Sequence, residues 1–282
     1  MALPVKIRKI YKTLKDFEKQ RSIITDIAVV GSKGAGKSAL IKSLGPAKGI
    51  FTEITVLERP ADYDLVLVVV SADKKLKIDE IKLVTKKLKK SDTSYLLVIN
   101  KIDKAKDIEG LLDCLEDANV AMSNIVSVSA TLNMGLDDLK KKILDNLVAH
   151  RLALASKAPS FRNLVVEKII RATSSQNAIF AGVIIVPGAD MPVLSANQVK
   201  MVLEIAAAYG EELSLERAKE LLVTIGGGFL FRSAARQLLD FVPGPGWIIK
   251  ASVAYGGTEA LGRSAKLYFK KGISSLVKIG KK

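Results

Sequence analysis

Eight residues, Gly31-Ser32-Lys33-Gly34-Ala35-Gly36-Lys37-Ser38, decide more about this chain than any other stretch of it. They match G-x-x-x-x-G-K-S and lie between a short β-branched run, Ile27 to Val30, and a segment with helical spacing that begins at Lys37. Their glycines let the backbone curl so that successive N–H groups and the start of the helix turn toward a chain of phosphates. In such a loop Gly31 to Ser38, with Ala39 behind them, form the cradle, and Lys37 reaches the β and γ phosphates. The Ser38 hydroxyl is the expected ligand of Mg2+, which takes oxygen donors. The plainer alternative is a Gly-rich strand-to-helix turn that matches by chance.

The surrounding pattern agrees with a phosphate-binding α/β domain. From Asp26 short apolar runs alternate with amphipathic stretches, as in a parallel sheet with crossover helices. Strands are expected at Ile27 to Val30, Ile54 to Leu57, Leu65 to Val70, Tyr95 to Ile99 and Ile125 to Val128, and helices near Lys37, Ile78, Asp107 and Leu136. At 282 residues the chain has room for a second domain, and with 49% apolar residues it has the means to build cores, which excludes a disordered or fibrous chain. The single Cys, Cys114, excludes an intramolecular disulfide, and a cytosolic location is the default.

Two further segments bear on the base. Asn100-Lys101-Ile102-Asp103 follows the strand ending at Ile99, and Ser129-Ala130 follows the strand ending at Val128. Each alone is a turn that can simply cap the next helix. With the P-loop, and in this order, they resemble the guanine-reading elements of small GTPases of the Era and Ras type, over roughly residues 22 to 150. The resemblance implies GTP or GDP with Mg2+ as ligands. It gives Asp103 the N1–H and exocyclic amine of guanine, Asn100 a bracing role between loops, the Lys101 stem a place over the base, and the Ala130 N–H the guanine oxygen beside Ser129. A P-loop kinase is disfavoured, since it would leave the N-K-x-D segment accidental.

The pattern then departs from the family. No D-x-x-G lies between the P-loop and Leu65; the span Gly45 to Asp64 is too short for two switches and two strands, so the second switch is expected to be reduced or missing. Thr52 or Thr55 is left as the switch threonine, with Thr52 the candidate magnesium ligand, although each also reads as a residue opening a strand. Glu58, Asp62 and Asp64 are carboxylates that either reach magnesium through water or are merely solvated. No Gln or His is placed to orient a water; the one His, His150, is expected in a late helix at the surface or between domains, and Lys33 either faces the γ-phosphate or solvent. GTP hydrolysis that is slow or depends on a partner is the expectation.

Charge divides the chain as well. The net +15 splits into +5 over residues 1–25, +1 over 26–150 and +9 over 151–282, so both flanks suit an anionic surface, or else are only well solvated. No apolar leader is expected ahead of Lys6, Arg8 and Lys9, and residues 1–21 read as an amphipathic helix with Ile7, Ile10, Leu14 and Phe17 on one stripe, docked on protein or on lipid. The domain boundaries expected are 1–21 for this helix, 22–152 for the nucleotide domain and 153–282 for a helical domain.

In that last part helices are expected at Phe161 to Ile185, Ser195 to Tyr209, Ser214 to Ile225, Leu230 to Leu239 and Trp247 to Lys271, with Ser160 and Ser214 as N-caps. Ala172 to Ala189 carries no charge and is a borderline span; Leu221 to Phe231 and Phe241 to Ile249 are shorter than a bilayer and are broken by Gly and Pro. Buried helices or hairpins that dip into one leaflet fit these better than independent spans. The blocks Val186 to Asp190, Gln198 to Gly210, Pro243 to Gly246 and Gly257 to Gly262 resemble the uncharacterised YcjF-like helical domain, which implies membrane association but no assigned chemistry. Asp190 and Gln198 are its candidate polar partners in an apolar setting.

The function expected is therefore a guanine-nucleotide switch whose state is coupled to a basic, apolar helical domain at the cytoplasmic face of a membrane, peripheral or integral. The second reading is a recruiting module in which the nucleotide is structural. A protein partner and a homo-oligomer are both open, while zinc-type clusters and an aromatic, basic nucleic-acid surface are absent from the sequence.

Overall fold

A computed structural model describes residues 5–47, 49–183, 191–214, 216–217, 220 and 246–279. Two compact units emerge: one formed by residues 23–161, the other by residues 1–22 together with 162–282.

The first unit is a five-stranded, wholly parallel sheet, with β1 Ile27–Val30, β2 Phe51–Glu53, β3 Leu65–Ser71, β4 Tyr95–Asn100 and β5 Ile125–Ser127 in the order β2-β1-β3-β4-β5. A parallel sheet is covered on both faces, so its strands become continuous apolar runs. Leu65 to Val69 and Leu96 to Ile99 accordingly are buried without interruption. Alternate residues Ala28, Val30, Val66, Val68, Leu97 and Ile99 build one core with Ile81, Leu88, Leu111 and Leu115 from helices α3 (Ile78–Lys90) and α4 (Ile108–Asp117). On α2 (Lys37–Ser43) and α5 (Leu136–Asn146), Leu40, Leu139 and Ile143 are fully buried.

The strand expected at Ile54 to Leu57 is instead Phe51–Glu53. The register explains the shift: Phe51 pairs with Ile27 and Glu53 with Val29, and the Ile54 amide takes the last carbonyl, that of Val29, at 3.0 Å. Beyond that point β1 turns into the P-loop, and Ile54 to Leu57 have no ladder left to join. The chain returns through one turn of 3₁₀ helix at Pro60–Asp62, and Leu57 is buried without being a strand residue. His150 likewise closes a 3₁₀ turn, Val148–His150, rather than a helix; its Nδ1 lies 3.1 Å from the Thr25 hydroxyl and its Nε2 3.7 Å from Asp64. Helix α6 (Arg151–Lys157) follows.

The second unit is helical, with α1 (Val5–Ser22), most of α7 (Pro159–Val183), α8 (Met191–Tyr209) and α9 (Gly246–Ile279). Helix α1 packs on α8, burying Leu14 and Phe17, and Arg21 donates to the Glu211 carbonyl at 2.6 Å. Helix α7 starts at Pro159, a residue preorganised for a first turn. Ser160 is therefore inside the helix, and its hydroxyl donates to the Leu44 carbonyl instead of capping. Ser214 does accept from the Arg217 amide, at 3.1 Å. The blocks Val186 to Asp190 and Pro243 to Pro245, the expected helix Leu230 to Leu239 and most of Ser214 to Ile225 lie outside the described residues. Among the described residues no helix is long and apolar enough to cross a membrane.

Candidate functional site

All five strands deliver chemistry at their carboxyl ends, which is where open α/β sheets hold ligands. Val30 leads into the P-loop, β2 ends on Glu53, β3 on Ser71 two residues before Asp73, β4 on Asn100, and β5 is followed, after Val128, by Ser129 and Ala130.

The P-loop's shape is fixed by its glycines. Gly34 and Gly36 have φ of +83° and +87°, a region that side chains strain to enter. A Cβ on Gly36 would stand 2.3 Å from Asn100 Nδ2, and one on Gly31 would stand 2.1 Å from the Val69 carbonyl oxygen. Ala35 is buried, and Ser32, Lys33, Gly34, Ser38 and Ala39 are exposed. The Lys37 ammonium folds back onto its own loop, donating to the carbonyls of Gly31 at 3.0 Å and Ser32 at 3.4 Å.

Asn100 ties the three motifs together. Its side chain is buried; Nδ2 donates to the Ala35 and Gly36 carbonyls at 3.0 and 3.4 Å, while Oδ1 accepts from the Lys101 and Ala130 amides at 2.8 and 3.2 Å. One amide thus fixes the P-loop, its own loop and the Ser129-Ala130 loop, and a buried amide so fully bonded holds a single geometry. Ser129 is wholly buried, accepts from the Leu132 amide at 3.3 Å and closes a backbone bridge to Met134. Asp103 sits in a 3₁₀ turn, Ile102–Lys104, exposed and with no hydrogen bond or ion pair among the described residues. Lys101, at φ +61°, sends its ammonium to the Gly34 carbonyl at 2.9 Å and to Asp73 at 2.8 Å.

Two site residues had no signal in the sequence. Asp73 accepts from both Lys101 and the Ser71 hydroxyl, at 2.8 and 2.6 Å, and these bonds, Lys101 first, hold its carboxyl below the usual range. Glu53 accepts from the Ser38 hydroxyl at 2.7 Å and faces the Lys37 ammonium at 3.6 Å. Neighbouring strand residues point to opposite faces, so Thr52, which precedes Glu53, is directed away from Ser38. A hydroxyl and a carboxylate side by side are the oxygen donor set that a magnesium ion takes, so the residues fit that cation. Beside the P-loop lies a cleft of about 570 Å³ floored by Val30, Val68 and Val70 and bordered by Lys33, Lys74 and Val84. Among the described residues no cluster of three or more His, Cys, Asp or Glu side chains forms a metal site.

Residues 150–243 match the family described as domain of unknown function DUF697. The GTPase Era of Borrelia turicatae is 26% identical over 164 residues, covering 43% of this chain and 56% of that protein. The chain thus spans little more than half the length of this curated relative. Among solved structures, a probable GTP-binding protein engB aligns at 16% identity over 43% of this chain and 98% of its own, with a TM-score of 0.36. A GTP-binding protein from Sulfolobus solfataricus, solved with GDP, aligns at 22% identity over 51% of this chain and 58% of its own, also at 0.36. The chain thus carries a P-loop α/β domain and is similar in sequence to the GTPase Era, and its residues 150–243 match the DUF697 family.

Proposed function

We propose that this protein binds guanine nucleotides through the first unit and uses that binding to govern what the helical unit docks on. The observation that carries the reading is the buried Asn100 amide, which joins the P-loop, the Asp103 loop and the Ala130 loop through four hydrogen bonds. In this reading the amides of Gly31 to Ala39 and the Lys37 ammonium hold the phosphates, and Asp103 accepts from the two guanine donors, a pair that adenine lacks. The Lys101 stem flanks the base and the Ala130 amide serves the guanine oxygen. Ser38, with Glu53, is the place for magnesium, whose chemistry there is to neutralise charge on the phosphates; Thr52, on the far face of its strand, is not part of that set. The sequence likeness to the GTPase Era supports the same class of ligand.

Hydrolysis in this reading is slow or partner-dependent, because the segment from Ile54 to Asp64 contains no Gln or His to orient a water. The helical unit contacts an anionic cytoplasmic membrane face or a protein. Its exposed Ile179, Val183 and Ile248 and the basic surplus of residues 151–282 support that role. The experiment is mass spectrometry of nucleotide released from the purified chain, paired with melting curves. GDP or GTP is expected in the eluate, and a higher melting temperature with GDP than with ADP; equal shifts from both would remove the guanine assignment.

A further inference from the structure

We propose that Glu53 makes nucleotide binding conditional on magnesium, its carboxylate opposing a bare polyphosphate and attracting one that carries the cation. The proposal rests on the guanine-nucleotide reading above and adds a regulatory residue to it.

Strand β2 lies directly beside β1, and its register puts Glu53 opposite Val29, two positions before the first P-loop glycine. Glu53 is thus delivered to the P-loop by backbone pairing. Its two oxygens divide between the two side chains on which the site depends: one accepts from the Ser38 hydroxyl at 2.7 Å, the other stands 3.6 Å from the Lys37 ammonium. Any group that recruits Lys37 and Ser38 does so against this carboxylate. Asp73, a second carboxylate beside the P-loop, is engaged elsewhere, by Lys101 and Ser71. Phosphate oxygens brought to Lys37 come within a few ångströms of Glu53, and two anions at that distance repel. A divalent cation between them reverses the sign of the interaction, since each anion then meets the cation's charge first. The same side chain therefore hinders the metal-free nucleotide and favours the metal-bound one. Glu53 remains 39% exposed and closes a three-residue strand, so its charge is not needed to hold the core.

The test is GDP affinity of the full chain, wild type and Glu53→Gln, measured by calorimetry in millimolar magnesium and again in chelator. Gln keeps an oxygen for the Ser38 hydroxyl and removes only the charge. The gain on adding magnesium is expected to shrink about tenfold in the variant, with GDP binding tighter than wild type in chelator. Equal magnesium gains in the two proteins, or a variant no tighter than wild type in chelator, overturn the proposal. Wild type that binds GDP in neither buffer would instead overturn the guanine reading itself. Melting curves without nucleotide check that the variant is folded, and Glu53→Ala repeats the comparison if Gln disturbs β2.

Discussion

The two units treat buried polarity in opposite ways. In the sheet unit the central strands β1, β3 and β4 are apolar up to their carboxyl ends, and polar side chains gather where the strands end, so that Glu53, Ser71, Asp73, Asn100 and Ser129 surround one loop. In the helical unit the polar groups lie within the helix packing: Asn177 on α7, Asn197 and Gln198 on α8 and Thr258 on α9 form a network in which Asn177, Gln198 and Thr258 are buried. Asn177 and Gln198 both donate to the Thr258 hydroxyl, at 3.0 and 2.9 Å, and Asn177 also reaches the Leu194 carbonyl at 3.3 Å. Around them Ala181, Leu194 and Ala254 are close-packed. The comparison teaches that polarity at strand ends shapes one exposed loop, whereas polarity shared among three helices is consumed in fixing their register.

The largest expected effect is on the first side of this contrast. Lys37→Ala should weaken GDP binding by about a hundredfold or more, since it removes the charge that meets the phosphates, while leaving the unfolding transition nearly unchanged. Calorimetry and denaturant melts check both halves. The reverse pattern is expected for Thr258→Val, which deprives two buried amides of their shared acceptor. It should cost about 2 kcal/mol of stability in urea titrations and leave GDP affinity as it was; a loss of affinity would mean that the helical network reports to the site.

The smallest effect concerns Glu204 on α8, whose carboxyl burial pushes up from its ordinary value, with Lys200 partly opposing the shift. A raised carboxyl destabilises the folded chain above its folded pKa and ceases to do so below its unfolded value. Glu204→Gln should therefore raise the melting temperature slightly at neutral pH, and the gain should fade as the pH falls through the raised folded pKa and be gone below about 4. A gain that persists in acid would place the burden on packing rather than on charge.

Much of the sheet unit was legible because its cause is local. Leu65 to Val70 and Tyr95 to Ile99 are apolar runs of strand length, and the structure makes both of them buried strands. Asn100, Lys101, Asp103, Ser129 and Ala130 stood out because their order repeats a known pattern at expected strand ends. Glu53 did not stand out, since its importance arises from the register of β2 against β1, and the β-branched run Ile54 to Leu57 beside it looked the better strand until its pairing partner was seen to run out. Asp73 was equally hidden: one Asp before two lysines reads as solvated until Lys101, 28 residues later, folds over it. In the helical unit the amphipathic stripe of α1 was plain, but a stripe of Leu14 and Phe17 does not name α8 as its complement. Gln198 was singled out as a polar group in apolar surroundings; its partner Thr258 was not, because residues 60 apart meet only through the packing of α8 on α9.

The claim at the centre of the account is that Asp103 chooses the base. Asp103→Asn exchanges a carboxylate acceptor for an amide donor, which mismatches the exocyclic amine of guanine and suits the oxygen that xanthine carries there. Titration of this variant with GDP and with xanthosine diphosphate should show GDP weakened by about a hundredfold and the xanthine nucleotide bound in its place. Undiminished GDP affinity in the variant, with no gain for xanthosine diphosphate, would contradict the account.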